Sequence, residues 1–140
     1  MENEMIDILL VEDNPDDGAL TIRSLKRHNL SNRVLHLQDG AEAIEYLFSD
    51  QRTTRPKLIL LDLKMPKVDG LELLRQIKAD EKLRFTPVVI LTSSREERDV
   101  VESYKLGVNA YIVKPVDFDK FVQAVSDLGL FWVVLNHVPS

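Results

Sequence analysis

The chain has 140 residues, 44% of them hydrophobic and 29% charged, a mix that suits one globular domain and excludes a disordered chain. It contains no cysteine, which rules out disulfides and thiolate metal sites, and its net charge of −5 makes a surface built for nucleic acid or anionic lipid a poor expectation. Two glutamates and no basic residue precede Met5, and no apolar run approaches the ~20 residues of a membrane span, so a cytoplasmic location is expected.

In chain order, residues 6–11 form a first apolar run, expected to be a strand. Pro15–Arg27 follows with helical spacing, Leu20, Ile22 and Leu25 among charges. Val34–Leu37 is a second strand, interrupted by His36 and therefore expected at an edge. Residues 40–48 form a helix with Ala43, Ile44, Leu47 and Phe48 on one face. A polar stretch at 49–57, closed by Pro56, leads into a third strand, Leu58–Leu61. A helix over 71–79 carries Leu71, Leu74 and Ile77. The fourth strand is expected at 88–91, and a helix over 95–106 carries Val100, Val101, Tyr104 and Leu106 before Gly107 stops it. Ala110–Val113 is the fifth strand, and Asp117 caps a last helix bearing Phe118, Phe121, Val122 and Val125. Alternating strands and helices of these lengths specify an α/β fold with a doubly wound, five-stranded parallel sheet, for which strand order 2-1-3-4-5 is expected.

In such sheets ligands bind beyond the carboxyl ends of the strands, at the reversal of strand order. Glu12, Asp13 and Asn14 follow the first strand, and Asp62, Leu63 and Lys64 follow the third. Thr92, Ser93 and Ser94 follow the fourth, and Lys114 and Pro115 the fifth. Three carboxylates, a hydroxyl and an ammonium are therefore expected to converge. Clustered carboxylates repel one another, and a hard divalent cation relieves that repulsion. A carboxylate can also serve as a nucleophile and form an acyl phosphate, with a metal, a lysine and a hydroxyl binding the oxygens of the phosphoryl group.

Each residue has a plainer reading: Asp13 as a helix-dipole acid, Asp62 as a turn residue, Thr92 as a cap and Lys114 as a surface charge. Their placement at four successive strand ends favours a site. Asp16 and Asp17 read as acids favouring a helix N-terminus. Asp13 to Gly18 superficially matches a calcium loop, but Pro15 stands where an oxygen ligand is needed and Ser24 where a bidentate glutamate should be. A phosphatase of the haloacid-dehalogenase kind needs a second aspartate where Lys64 stands, and no Gly-rich phosphate loop is present. His28, His36 and His137 lack metal-ligand spacing and read as ordinary histidines.

Taken together, Ile8 to Asp13, Leu60 to Pro66, Asp69-Gly70, Pro87 to Thr92, Gly107 with Ala110-Tyr111, and Val113-Lys114-Pro115 resemble the response-regulator receiver domain of two-component systems. The resemblance covers the chain to about Leu128 and implies a (βα)5 flavodoxin-like receiver fold. It implies that Asp62 accepts a phosphoryl group from a histidine of a sensor kinase. It implies that Glu12, Asp13, Asp62 and the backbone carbonyl of Lys64 hold magnesium or manganese, one of the acidic pair through water. Thr92 and Lys114 then engage the phosphoryl group, the Lys114–Pro115 bond is cis, and Tyr111 is the aromatic that changes rotamer with the threonine. A half-buried strand tyrosine without switching is the alternative for Tyr111. Lys64 and Ser94, each two residues past a site residue, are expected to tune dephosphorylation.

Thr92-Ser93-Ser94, the insert at 49–57 and the ending Phe131 to Leu135 resemble single-domain regulators associated with bacterial phytochromes, which points to a bacteriophytochrome as kinase. Residues 1–128 read as the receiver domain and 129–140 as a C-terminal extension. The six consecutive apolar residues from Leu130 to Leu135 lack the alternation of a one-faced helix and are expected to make a homodimer contact; folding back onto the domain or binding the kinase are the alternatives. The leading expectation is a phosphorylation-controlled signalling module, not an enzyme on external substrates, working by protein–protein contact without direct nucleic-acid or membrane binding. A receiver-fold interaction scaffold that phosphate does not regulate is the alternative, and a hydrolase acting through an aspartyl phosphate is a third.

Overall fold

A computed structural model of the chain describes residues 6–27, 33–49 and 56–127. The strands are β1 (Ile8–Val11), β2 (Val34–Leu37), β3 (Leu58–Leu61), β4 (Val88–Thr92) and β5 (Ala110–Val113). The helices are α1 (Pro15–Arg27), α2 (Gly40–Leu47), α3 (Gly70–Ala79), α4 (Glu97–Leu106) and α5 (Phe118–Asp127). All strand pairs are parallel and the order is β2-β1-β3-β4-β5, as the alternation of elements predicts. β1, β3 and β4 are buried along their whole length. β2 and β5, at the two edges, are half-buried.

The two-residue pleat divides the core. Leu9, Val11, Ile59, Leu61, Val88 and Ile90 face one side and pack with Ala43 and Leu47 of α2 and Leu73, Leu74 and Ile77 of α3. Ile8, Leu10, Leu58, Leu60, Val89 and Leu91 face the other side, with Leu25 of α1 and Phe121 of α5. Burying so many large aliphatic side chains, at about 1.5–3 kcal/mol each, fixes the register of every strand. The strand ends are thereby set level with one another: Val11 pairs with Leu61, and Leu61 with Ile90.

Two boundaries differ from expectation by two residues, and those of α2, α3 and β4 by one. β1 begins at Ile8 because its partners begin there: Ile8 pairs with Val34 and with Leu58, leaving no strand opposite Ile6. α4 begins at Glu97 and not at 95, because the Ser94 hydroxyl accepts the Glu96 N–H at 3.3 Å and holds the chain in a turn. The cap by Asp117 is present, its carboxylate accepting the N–H groups of Asp119 and Lys120. The C-terminal run from Leu130 to Leu135 and most of the insert at 49–57 lie outside the described residues. Among the described residues, no helix is long and apolar enough to cross a membrane.

Candidate functional site

The site is built by four strand ends. Glu12 directly follows β1 and is 2% exposed. Its Oε2 accepts the Asn14 N–H at 3.2 Å. Its backbone carbonyl accepts from His36 Nε2 at 2.8 Å, which places the ring proton on that nitrogen. The His36 ring lies against Gly18, where a Cβ would fall 2.1 Å from ring carbon Cε1. An edge histidine and a helix glycine thus fit together beneath the acidic loop. Asn14 caps α1 by accepting the N–H groups of Asp16 and Asp17 at 2.9 and 3.0 Å.

Asp62 follows β3 and is 6% exposed. Its backbone N–H donates to Val11 O, and its Oδ1 accepts the Lys64 N–H at 3.0 Å. α3 starts so close to this turn that Gly70 donates to Leu63 O at 3.1 Å. One carboxylate oxygen from each of Glu12, Asp13 and Asp62 lies within 4.8 Å of the others. Three hard oxygen donors at that spacing suit a hard divalent cation such as magnesium or manganese.

Lys114 enters from the end of β5, after which the Lys114–Pro115 peptide is cis. Its backbone N–H donates to Thr92 O at 2.8 Å. Its ammonium meets Glu12 Oε1 at 2.5 Å, Asp17 Oδ2 at 3.1 Å and Asp62 Oδ2 at 3.3 Å. Burial alone would lower the Lys114 pKa, but Glu12, Asp62 and Asp17 outweigh it and raise it, so the group stays an ammonium. Burial lifts the Glu12 carboxyl to about 7, with the Asp62 charge adding to the rise and Lys114 opposing it.

Thr92 is fully buried at the end of β4, and its Oγ1 accepts the Ser94 N–H at 3.3 Å. Tyr111, on β5, donates its hydroxyl to the Ser94 carbonyl at 3.1 Å. The side chains of Lys64 and Ser94 both turn to Asp99 on α4: the Ser94 hydroxyl donates to Asp99 Oδ2 at 2.5 Å, and Lys64 Nζ lies 3.3 Å from the same oxygen.

Glu12, Asp13, Asp62 and Lys114 are thus brought together, and Thr92 at the end of β4 and Tyr111 on β5 both bind the Ser94 peptide of the adjoining β4–α4 loop. Asp17, read from the sequence only as a helix-start acid, is a partner of Lys114. Its position in the first turn of α1, within reach of the residue after β5, could be read only after the strand order was known. Asp99 was not read at all, and His36 was read as an ordinary histidine of an edge strand, without its contact to Glu12. Each makes its contact across a gap that no local spacing reports.

The raised Glu12 pKa has a consequence in metal-free buffer. The folded chain holds a proton on Glu12 that the unfolded chain releases between about pH 4.5 and about 7. The stability Glu12 contributes is therefore fully present below the unfolded value and is lost as pH rises through the folded one. Glu12→Gln, neutral throughout, should unfold at higher urea than the parent near pH 8, with the gap closing toward pH 5. A gap independent of pH would remove Glu12 from the titration.

The chain belongs to the response regulator receiver domain family, whose profile matches residues 8–126. It is 38% identical to response regulator Rcp1 of Synechocystis sp. over 136 residues, covering 95% of this chain and 92% of that protein. The bacteriophytochrome response regulator RtBRR is 54% identical in sequence; its structure superposes with a TM-score of 0.81, covering 97% of this chain and 85% of that one. The Mn(2+)-bound form of Rcp1 is 39% identical with a TM-score of 0.73, covering 91% and 94%. Receiver domains of this family typically signal through phosphorylation, act as phospho-acceptors without being enzymes, and bind a divalent metal. Those of bacteriophytochrome response regulators pair with histidine kinases.

Proposed function

We propose that this chain accepts a phosphoryl group on Asp62 from a phosphohistidine of a sensor kinase, with a bacteriophytochrome as the kinase, and signals by the resulting change at its surface. The observation that carries this reading is the Asp62 carboxylate, 6% exposed, beside two further carboxylates and one ammonium. A carboxylate oxygen attacks phosphorus in line, the P–O bond forms as the P–N bond to histidine breaks, and the imidazole leaves with a proton from solvent. Lys114, released from part of its carboxylate contact, neutralises the new oxygens, and the Thr92 hydroxyl donates to one of them. Water later attacks phosphorus, the P–O bond to Asp62 breaks with the carboxylate as leaving group, and inorganic phosphate departs carrying the water oxygen.

Glu12, Asp13, Asp62 and the Lys64 carbonyl would hold magnesium or manganese, one of the acidic pair through water. Such a metal would supply positive charge against the phosphoryl oxygens. Thr92 and Tyr111 share the Ser94 peptide, Thr92 through its N–H and Tyr111 through its carbonyl, which supports their moving together as a switch. Lys64 and Ser94, each two residues past a site residue, tune the loss of the phosphoryl group. The intact carboxylate, hydroxyl and ammonium favour this reading over an unregulated scaffold.

Incubation with magnesium and acetyl phosphate should add one phosphoryl group to the intact mass, and Asp62→Asn should abolish the gain. No gain in the parent chain would favour the scaffold, and continuous turnover of varied phosphoesters would favour a hydrolase.

Residues 129–140 extend this reading to a homodimer, through the apolar run from Leu130 to Leu135. Light scattering at micromolar concentration should give a dimer mass that falls to a monomer when 130–140 are deleted. A monomer mass for the full chain, or a dimer that survives the deletion, would refute the contact.

A further inference from the structure

Asp99 sits in the first turn of α4, outside the metal cluster, and is 2% exposed. None of the chemistry above uses it. A buried carboxylate needs partners, and it takes two: the Ser94 hydroxyl at 2.5 Å and the Lys64 ammonium at 3.3 Å, both on Oδ2. Burial would raise the Asp99 carboxyl, but the hydrogen bonds from Ser94 and Lys64 outweigh it and leave it below the ordinary range. Asp99 in turn holds Lys64 above the ordinary range for lysine, so both groups are charged.

The two partners of Asp99 come from the two loops that serve the phosphoryl site. The Lys64 N–H already donates to Asp62 Oδ1 at 3.0 Å, so the lysine stem starts beside the nucleophile. The Lys64 side chain is 52% exposed, whereas that of Asp99, on helix α4, is 3% exposed. The nearest other anion is Glu96, 3.9 Å from Lys64 and itself 62% exposed. On the other loop, Ser94 joins the Thr92 hydroxyl through its N–H and the Tyr111 hydroxyl through its carbonyl.

We propose that Lys64 is a second phosphoryl-binding cation, held on Asp99 while Asp62 is unmodified and transferred to the phosphoryl oxygens when Asp62 is phosphorylated. This rests on the reading of Asp62 as the acceptor. The driving force is charge: a phosphoryl group carries about −1.5 to −2, more than a single carboxylate, and sits on the residue whose Oδ1 the Lys64 backbone already binds. Loss of Lys64 leaves a buried carboxylate with Ser94 as its one remaining partner among the contacts described. The first turn of α4 and the Ser94 peptide must then readjust, and the peptide carries Thr92 and Tyr111 with it. Asp99 is accordingly a positioning residue, which decides where the Lys64 charge rests.

Beryllofluoride in magnesium buffer mimics the phosphoryl anion on an aspartate, and its binding to the full chain can be followed by titration calorimetry. Lys64→Gln, at a half-exposed side chain, should weaken binding roughly three- to tenfold. Asp99→Asn keeps an acceptor for Ser94 and releases the lysine, so binding should tighten by a similar factor. The double variant should behave as Lys64→Gln alone. A Lys64→Gln affinity equal to the parent, an Asp99→Asn affinity no tighter than the parent, or a gain that persists in the double variant would each overturn the exchange. If Asp99→Asn does not fold, Lys64→Gln alone decides. A parent chain that binds no beryllofluoride would instead refute the acceptor reading, and the exchange with it.

Discussion

Lys114→Met should destabilise the fold by about 3 kcal/mol in buffer containing a chelator, and by much less in millimolar magnesium. Methionine keeps most of the side-chain volume and removes the charge. The Lys114 side chain is 17% exposed and faces carboxylates of Glu12 and Asp62 that are 3% and 7% exposed. Removing one member of a buried ionic cluster leaves the others facing one another without compensation, which typically costs about 3–5 kcal/mol. Protonation of Glu12, already raised to about 7, softens that cost and places the expectation at the lower end. A divalent cation on the same carboxylates substitutes for the lost ammonium, so urea midpoints of parent and variant should converge as magnesium is added. An equal loss with and without magnesium would show that Lys114 braces the loops by packing and not by charge.

Gly70→Ala should cost about 3 kcal/mol and should also impair phosphoryl acceptance. A Cβ at Gly70 would lie 2.5 Å from Leu63 Cα, 2.7 Å from Asp62 O and 2.9 Å from Leu63 O. All three are backbone atoms of the turn that presents Asp62, so relief requires moving the nucleophile itself. Gly107→Ala is the control. That residue has φ 101°, but its Cβ would find only Lys78 Cε at 3.9 Å, so the cost is conformational and about 1 kcal/mol. Chemical denaturation of the two variants, with acetyl phosphate labelling of each, checks both numbers. A Gly70→Ala protein as stable as Gly107→Ala would contradict the close approach.

The sheet was legible because its signals are local. Leu58–Leu61 is continuously apolar and buried on both faces, and Val34–Leu37, broken by His36, lies at the edge where a polar residue can sit. The convergence of Glu12, Asp13, Asp62 and Lys114 was legible for a related reason: parallel strands of known order place their carboxyl ends side by side. Asp17 and Asp99 were not. Each stands in the first turn of a helix, where an acid is favourable through the helix dipole alone, and nothing in the spacing separates that role from a specific partner. What distinguishes them is a lysine from another loop, Lys114 for Asp17 and Lys64 for Asp99. The side chains of Lys64 and Ser94 were placed by sequence offset beside the phosphoryl site, whereas the buried Asp99 carboxylate draws both to α4.

One carboxylate, Asp62, is expected to carry the phosphoryl group. Borohydride reduces an aspartyl phosphate to homoserine, and peptide mass spectrometry of the labelled and reduced chain shows which aspartate was converted. Homoserine is expected at position 62 alone, dependent on magnesium during labelling. Conversion at Asp13 or Asp17, or no conversion in a chain that has gained the mass of a phosphoryl group, would contradict it.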